Sequence, residues 1–198
     1  MDRLRPLCSH EVRSARVLLV SWLALLVLAS GVALAQPSTH VALAWNDLGM
    51  HCMNHWFRTI AVLPPYNNLD GQVILRGYGA VPPHLVTSGL TVEYSIPGNT
   101  YSVGKTDFWD YDVQIFGIDL PPNIGLTGKG LTGVLDPVSG HYIATGIPIT
   151  PYPDATPMVA DPYQQALVIV RDSRGVEMCR SAPVIPVSVE MNCVSSGC

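Results

Sequence analysis

Proline and glycine interrupt this chain too often for long helices. It holds 17 glycines and 17 prolines in 198 residues, and only Pro6 and Gly31 of these fall among the first 35. A helix interior loses about 1 kcal/mol to a glycine and about 3 kcal/mol to a proline relative to alanine. At this density, and with no collagen-like period, short strands between turns are the structure left to it. Pro64-Pro65, Pro82-Pro83 and Pro121-Pro122 end three such stretches, because proline brings no donor to a sheet ladder. Strands are predicted at Val41–Trp45, Arg58–Leu63, Gln72–Arg76, Leu90–Ile96, Val113–Ile118, Tyr142–Ile147, Ala166–Arg171 and Val184–Val189. Leu90–Ile96 alternates most cleanly, with Leu90, Val92, Tyr94 and Ile96 set against Thr91, Glu93 and Ser95. The pattern predicts an all-β fold: an immunoglobulin-like β-sandwich, with a partly closed β-barrel as the alternative, and no helix of substantial length. The repeated Gly-Leu-Thr-Gly of residues 125–133 reads as a hairpin or bulged turn. Pro151, Pro153, Pro157 and Pro162 mark a surface loop from Thr150 to Pro162.

The first 35 residues differ in kind. Arg3, Arg5, Arg13 and Arg16 precede a nearly apolar run from Val17 to Leu28, and Ala33-Leu34-Ala35 supplies small residues before Gln36. Basic start, apolar stretch and small-x-small site form the secretory signal pattern. A membrane anchor needs about 20 apolar residues with stop-transfer charges after them, whereas Gln36-Pro37-Ser38-Thr39-His40 follows here. The expected organisation is a signal peptide over residues 1–35, a sandwich domain over 36–189 and a cysteine-containing tail over 190–198. The expected location is the periplasm or outside the cell, with no membrane span after cleavage. The signal takes four of the 11 basic residues and two of the 15 acidic ones, leaving seven basic against thirteen acidic. An acidic surface repels phosphate backbones, which argues against a nucleic-acid partner.

The densest chemistry lies in Asn46-Asp47-Leu48-Gly49-Met50-His51-Cys52-Met53-Asn54-His55-Trp56. Mixed nitrogen and sulfur donors suit copper, zinc or iron, whereas calcium and magnesium take oxygen. The reading here is a transition-metal site with His51, Cys52, His55 and Met50 as candidate ligands and Asp47 orienting a ligating ring. The alternative places Cys52 in a disulfide, as exported proteins favour. Cys8 leaves with the signal; Cys52, Cys179, Cys193 and Cys198 remain, and four cysteines allow three pairings. A Cys52–Cys179 bond across the sandwich is one expectation, with Cys193 and Cys198 paired locally or reactive. Covalent haem needs Cys-x-x-Cys-His. Cys193 and Cys198 are separated by four residues with no histidine after them, so haem c is not expected on them.

Trp45-Asn-Asp-Leu-Gly-Met-His-Cys52, Leu63-Pro-Pro-Tyr-Asn67, Gly104-Lys-Thr-Asp-Phe-Trp109, Asn123-Ile-Gly-Leu-Thr-Gly128, Gly146-Ile-Pro148 and Pro186-Val-Ser-Val-Glu-Met191 give the chain a family likeness. Across essentially the whole mature sequence it resembles an uncharacterised family of exported bacterial proteins. Members of that family often continue past the Glu-Met-x-Cys segment into a haem motif. The resemblance implies the company of respiratory or multihaem c-type cytochromes, and so a c-type cytochrome or other periplasmic redox protein as partner. This chain departs from the family at the tail, where the cysteine spacing is stretched and the histidine missing.

Trp109 with Asp107 and Asp110 forms a candidate recognition surface, since rings stack on apolar sugar faces and carboxylates bind hydroxyls. Paired carboxylates could also serve a glycosidase, but a solvated turn beside core aromatics accounts for them more simply. His84 and His141 read as lone hydrogen-bonding histidines. No nucleophile elbow or complete catalytic set is legible. The expected function is an exported metal-binding or redox-associated module of an electron-transfer system. The alternatives are a non-enzymatic binding or assembly module with structural disulfides, and a hydrolase of unknown substrate.

Overall fold

Period-two alternation decides which residues meet in the middle of this molecule. In a computed structural model, which describes residues 39–59 and 62–190, those residues are mostly β, with one helix among them. The expected signal peptide, Cys193 and Cys198 lie outside the described residues. The strands are β1 (His40–Trp45), β2 (His51–Met53), β3 (Asn67–Leu75), β4 (His84–Leu85), β5 (Leu90–Ser95), β6 (Thr132–Val134), β7 (Asp136–Val138), β8 (His141–Ile147), β9 (Leu167–Asp172), β10 (Glu177–Ser181) and β11 (Val187–Val189). One sheet runs β1-β3-β8-β7 with β4 on the end of β3, a second runs β10-β9-β5-β6, and β11 pairs with β2 in a separate ribbon. Every pairing between these strands is antiparallel except β11 with β2. No sheet closes on itself, so the fold is an all-β sandwich rather than the partly closed barrel.

The core forms where the inward rows of the two sheets face each other. Val92 and Tyr94 of β5 and Val168 and Val170 of β9 come from one sheet; Leu69 and Val73 of β3 and Tyr142 and Ala144 of β8 come from the other. The chain passes from β6 in one sheet to β7 in the other through a single residue, buried Leu135, which turns that corner. Met53, Ile185 and Val187 extend the core beneath the β2–β11 ribbon.

Two predicted strands are corrected. Val113–Ile118 belongs largely to helix α1 (Phe108–Phe116). Phe108, Asp112 and Phe116, four residues apart, lie on the helix face that meets the protein. Val113, one of the residues that made the strand pattern, is 56% exposed. Gly117 closes the helix in the left-handed conformation, φ 72°, with its N–H bonded to Val113 O. Phe57 and Phe108 form a small second core under this helix. In Arg58–Leu63 the described residues form no strand: Val62 N and Leu63 N donate to Asn54 Oδ1 instead of to a ladder. Only the end of the predicted Val184–Val189 strand is realised, as β11. The 125–133 stretch is a turn, as expected, with Gly128 N bonded to Gly125 O ahead of β6.

A polar cluster ties the loop after β5 to the loop after β8. Lys105, 1% exposed, donates from Nζ to Asn99 Oδ1 at 2.9 Å and to Asp154 Oδ1 at 2.5 Å, and lies 4.0 Å over the Tyr101 ring. Asn99 Nδ2 in turn donates to Thr150 O and Gln164 Oε1. Burial pushes the Asp154 carboxyl up, but bonds from Lys105 and Thr100 outweigh it and hold the group below its ordinary range.

Two substitutions probe this packing. Gly146 sits at φ 78°, where an added Cβ would strike Thr127 Oγ1 and Tyr66 Cε2. Gly146→Ala should therefore lower stability by about 2–4 kcal/mol, read as a fall in the urea midpoint at unchanged m. Lys105→Met leaves the buried Asn99 oxygen and the Asp154 carboxylate without their shared cation, and should lower stability by about 3 kcal/mol in the same assay.

Candidate functional site

Strand geometry decides the fate of the sulfur-and-imidazole segment. After β1 the chain turns at Gly49, φ 69°, and residues 51–53 are drawn into β2 by pairing with β11. Successive side chains on a strand point to opposite faces. Met53 goes inward, His51 shares its side, and Cys52 between them faces out and is exposed. His51 Nε2 donates to Pro64 O at 2.8 Å, with its ring tilted against Tyr66. His55 leaves the strand altogether. Its Nδ1 lies 3.0 Å from the Tyr152 hydroxyl and its ring stacks on Trp56 at 4.0 Å.

The expected ligand set is therefore not assembled. His51 and Cys52 diverge because they are neighbours on a strand, and among the described residues no group of three or more His, Cys, Asp or Glu is placed to hold a metal ion. Met50 is exposed on the surface turn. Asp47 does not orient a ring; it adds its charge to the burial that already raises the Asp70 carboxyl. The Cys52–Cys179 bond is likewise not formed. Both thiols are free, and Cys179 sits half-buried on β10, its thiol pushed up by burial and then by Glu177.

Of the aromatic-acid candidates, Trp109 and Asp107 are engaged in internal contacts. Trp109 Nε1 donates to Ile124 O at 3.0 Å and its ring meets Phe108 edge-on. Asp107 Oδ1 accepts from Phe57 N, holding the 55–58 turn against the start of α1, while Asp110 is exposed in the first helical turn. His141 Nε2 lies 3.3 Å from Asp70 Oδ1, and His84 is exposed on β4.

What the fold does build is an open groove of about 500 Å³ at the ribbon end of the sandwich. Trp45, Met50, Tyr163, Val184 and two prolines, Pro183 and Pro186, line it. Trp45 is 38% exposed and Tyr163 66% exposed, large apolar bodies left uncovered in one groove. The groove is firmly held. Asn46 Nδ2 donates to Asn67 Oδ1 and Asn68 O, and Asn67 Nδ2 donates to Pro186 O at 2.6 Å. Exposed Asp47 follows Trp45-Asn46 in the chain, and exposed Asp161 accepts from Tyr163 N. Only the folding together of residues 45–50 with 163–186 creates this surface. Its one sequence signal is a tryptophan at the end of a strand. No family model, no curated protein and no solved structure matches the chain.

Burial holds both histidines below the ordinary imidazole range. For His51 it outweighs the Pro64 bond; for His55 it outweighs Asp107, and Arg58 adds to it. The folded state thus prefers neutral rings, and the unfolded chain binds protons more readily. Stability should be full above about pH 6.5 and fall as the pH drops below it. His51→Gln should flatten that fall, measured as urea midpoints at pH 8 and pH 5. An identical pH slope in the variant would show that His51 does not contribute.

Proposed function

We propose that this chain is an exported, non-catalytic docking module of an electron-transfer system, and that its partner is a basic redox protein such as a c-type cytochrome. The observation that carries the reading is the open groove bearing Trp45, Met50, Tyr163 and Val184, with Asp47 and Asp161 two residues along the chain from Trp45 and Tyr163. Interface centres are enriched in aromatic residues and Met, ringed by polar residues that set partner choice. The acidic balance of the mature sequence favours a partner of opposite charge. His51, next in the chain to groove residue Met50, is already engaged in an internal hydrogen bond to Pro64 O, which favours binding over chemistry at this site. The family resemblance supplies the kind of company expected, exported haem proteins.

Titration calorimetry with a purified basic c-type cytochrome as probe, and an acidic one as comparison, tests the proposal. The basic cytochrome should bind more tightly at low salt, and the preference should shrink as salt rises. Trp45→Ala should weaken binding about tenfold, equivalent to roughly 1.4 kcal/mol. Equal affinity for the two cytochromes, or an unchanged Kd for Trp45→Ala, rejects the reading.

A further inference from the structure

The buried tyrosines of this domain differ in what receives their hydroxyl protons. Tyr94 and Tyr142 donate to the backbone carbonyls of Gly130 and Val86. Tyr152, 4% exposed, meets a base instead: its hydroxyl lies 3.0 Å from His55 Nδ1. A buried phenol must donate its proton somewhere. Nδ1 is the acceptor it has among the described residues, so the imidazole carries its own proton on Nε2. Burial favours the neutral form of that ring. The His55 ring lies 4.7 Å from the Tyr152 ring and stacks on Trp56 at 4.0 Å, the planes 16° apart. Indole and phenol are therefore within about 9 Å of each other, with the imidazole in contact with both. Trp56 is partly exposed, and exposed Arg58 places its guanidinium 4.4 Å over the indole. The geometry is held from several sides. Thr106 Oγ1 donates to His55 O at 2.9 Å, and Asp154, two residues after Tyr152, is paired with buried Lys105.

Taking an electron from a phenol turns its O–H into a strong acid. A carbonyl partner cannot keep that proton, whereas a neutral imidazole can. A cation over an aromatic face is attracted by the ring's electrons, and it makes an electron harder to remove from that ring. Arg58 thus makes Trp56 a poorer resting place for an oxidising equivalent than Tyr152. We infer that Trp56, His55 and Tyr152 form a one-electron redox relay, in which Trp56 is oxidised at the surface and Tyr152 holds the equivalent as a neutral phenoxyl radical. The oxidant is a diffusing small-molecule radical. It takes one electron from Trp56 and leaves as its anion, and the indole N–H proton goes to water. The Trp56 radical then takes an electron from Tyr152 and a proton back from water, while the phenolic proton crosses to His55 Nδ1. Trp56 is restored, Tyr152 is left as the radical and His55 as an imidazolium, which the nearby Asp107 charge favours. None of these residues lines the groove, so the relay does not rest on the docking reading, and its test involves no cytochrome.

The experiment is pulse radiolysis of the full chain in azide solution, where the azidyl radical oxidises indole in preference to phenol. Indole-radical absorption should decay as phenoxyl absorption rises, in a first-order phase independent of protein concentration and slower in D2O than in H2O. Tyr152→Phe keeps the ring and removes only the hydroxyl, and it should lose this phase, as should Trp56→Phe. His55→Gln can still accept a hydrogen bond but is no base, and should slow the phase about a hundredfold. A phase that persists in Tyr152→Phe or in Trp56→Phe, or an unchanged rate in His55→Gln, overturns the inference. So does the absence of phenoxyl growth, or an equal rate in the two solvents, in the unsubstituted chain. The solvent comparison decides the matter even if a variant folds poorly.

Discussion

Asn67, fully buried at the first position of β3, joins three separate stretches of chain through one side-chain amide. Its oxygen accepts from Asn46 and from the backbone of Asn68, and its nitrogen donates to Pro186 O. A buried amide left bare costs about 1–3 kcal/mol, so these bonds work as a set: each segment must be in place for the others to be satisfied. The turn after β1, the start of β3 and the lead into β11 are thereby fixed relative to one another. Both the groove and the ribbon depend on that fixation. Asn54 repeats the device a few residues later, accepting from Val62 and Leu63 and donating to Glu190. Side-chain amides here do what a longer ladder would do elsewhere, and they do it where proline denies the backbone its donors.

Dependence on such long-range bonds separates what is legible in the sequence from what is not. β5, β8 and β9 face solvent on one side and the core on the other, so their alternation survives in the residue order and marks their positions. Helix α1 escapes that pattern because its buried row includes Asp112, whose carboxylate accepts from Leu120 N, while apolar Val113 and Ile115 face outward. A period of four is masked by a false period of two. The ribbon is illegible for a different reason. Residues 51–53 form a strand only because β11 arrives from the far end of the chain, and no local pattern records that pairing.

The same illegibility governs the site. The cluster of donors around residue 51 is dense in sequence, and density invites a metal reading. Convergence in space is a separate property, and a three-residue strand destroys it by sending adjacent side chains to opposite faces. His51 then spends its Nε2 proton on Pro64, and His55 turns toward Tyr152. The groove, by contrast, draws Trp45 and Tyr163 from positions more than a hundred residues apart, each unremarkable alone. Composition locates the chemistry; topology redistributes it.

That redistribution places two different kinds of chemistry at one end of the sandwich. One is the apolar groove lined by Trp45 and Tyr163. The other is the exposed thiol of Cys52 on the strand that follows. β2, which carries the thiol, and β11 beside it are short, and their pairing depends on amide bonds rather than on a broad sheet. Short ribbons of this kind belong to the less stable part of a fold, where local opening is cheapest. The amide bonds of Asn46 and Asn67 hold this end in place against such opening, and so also set the shape of the groove.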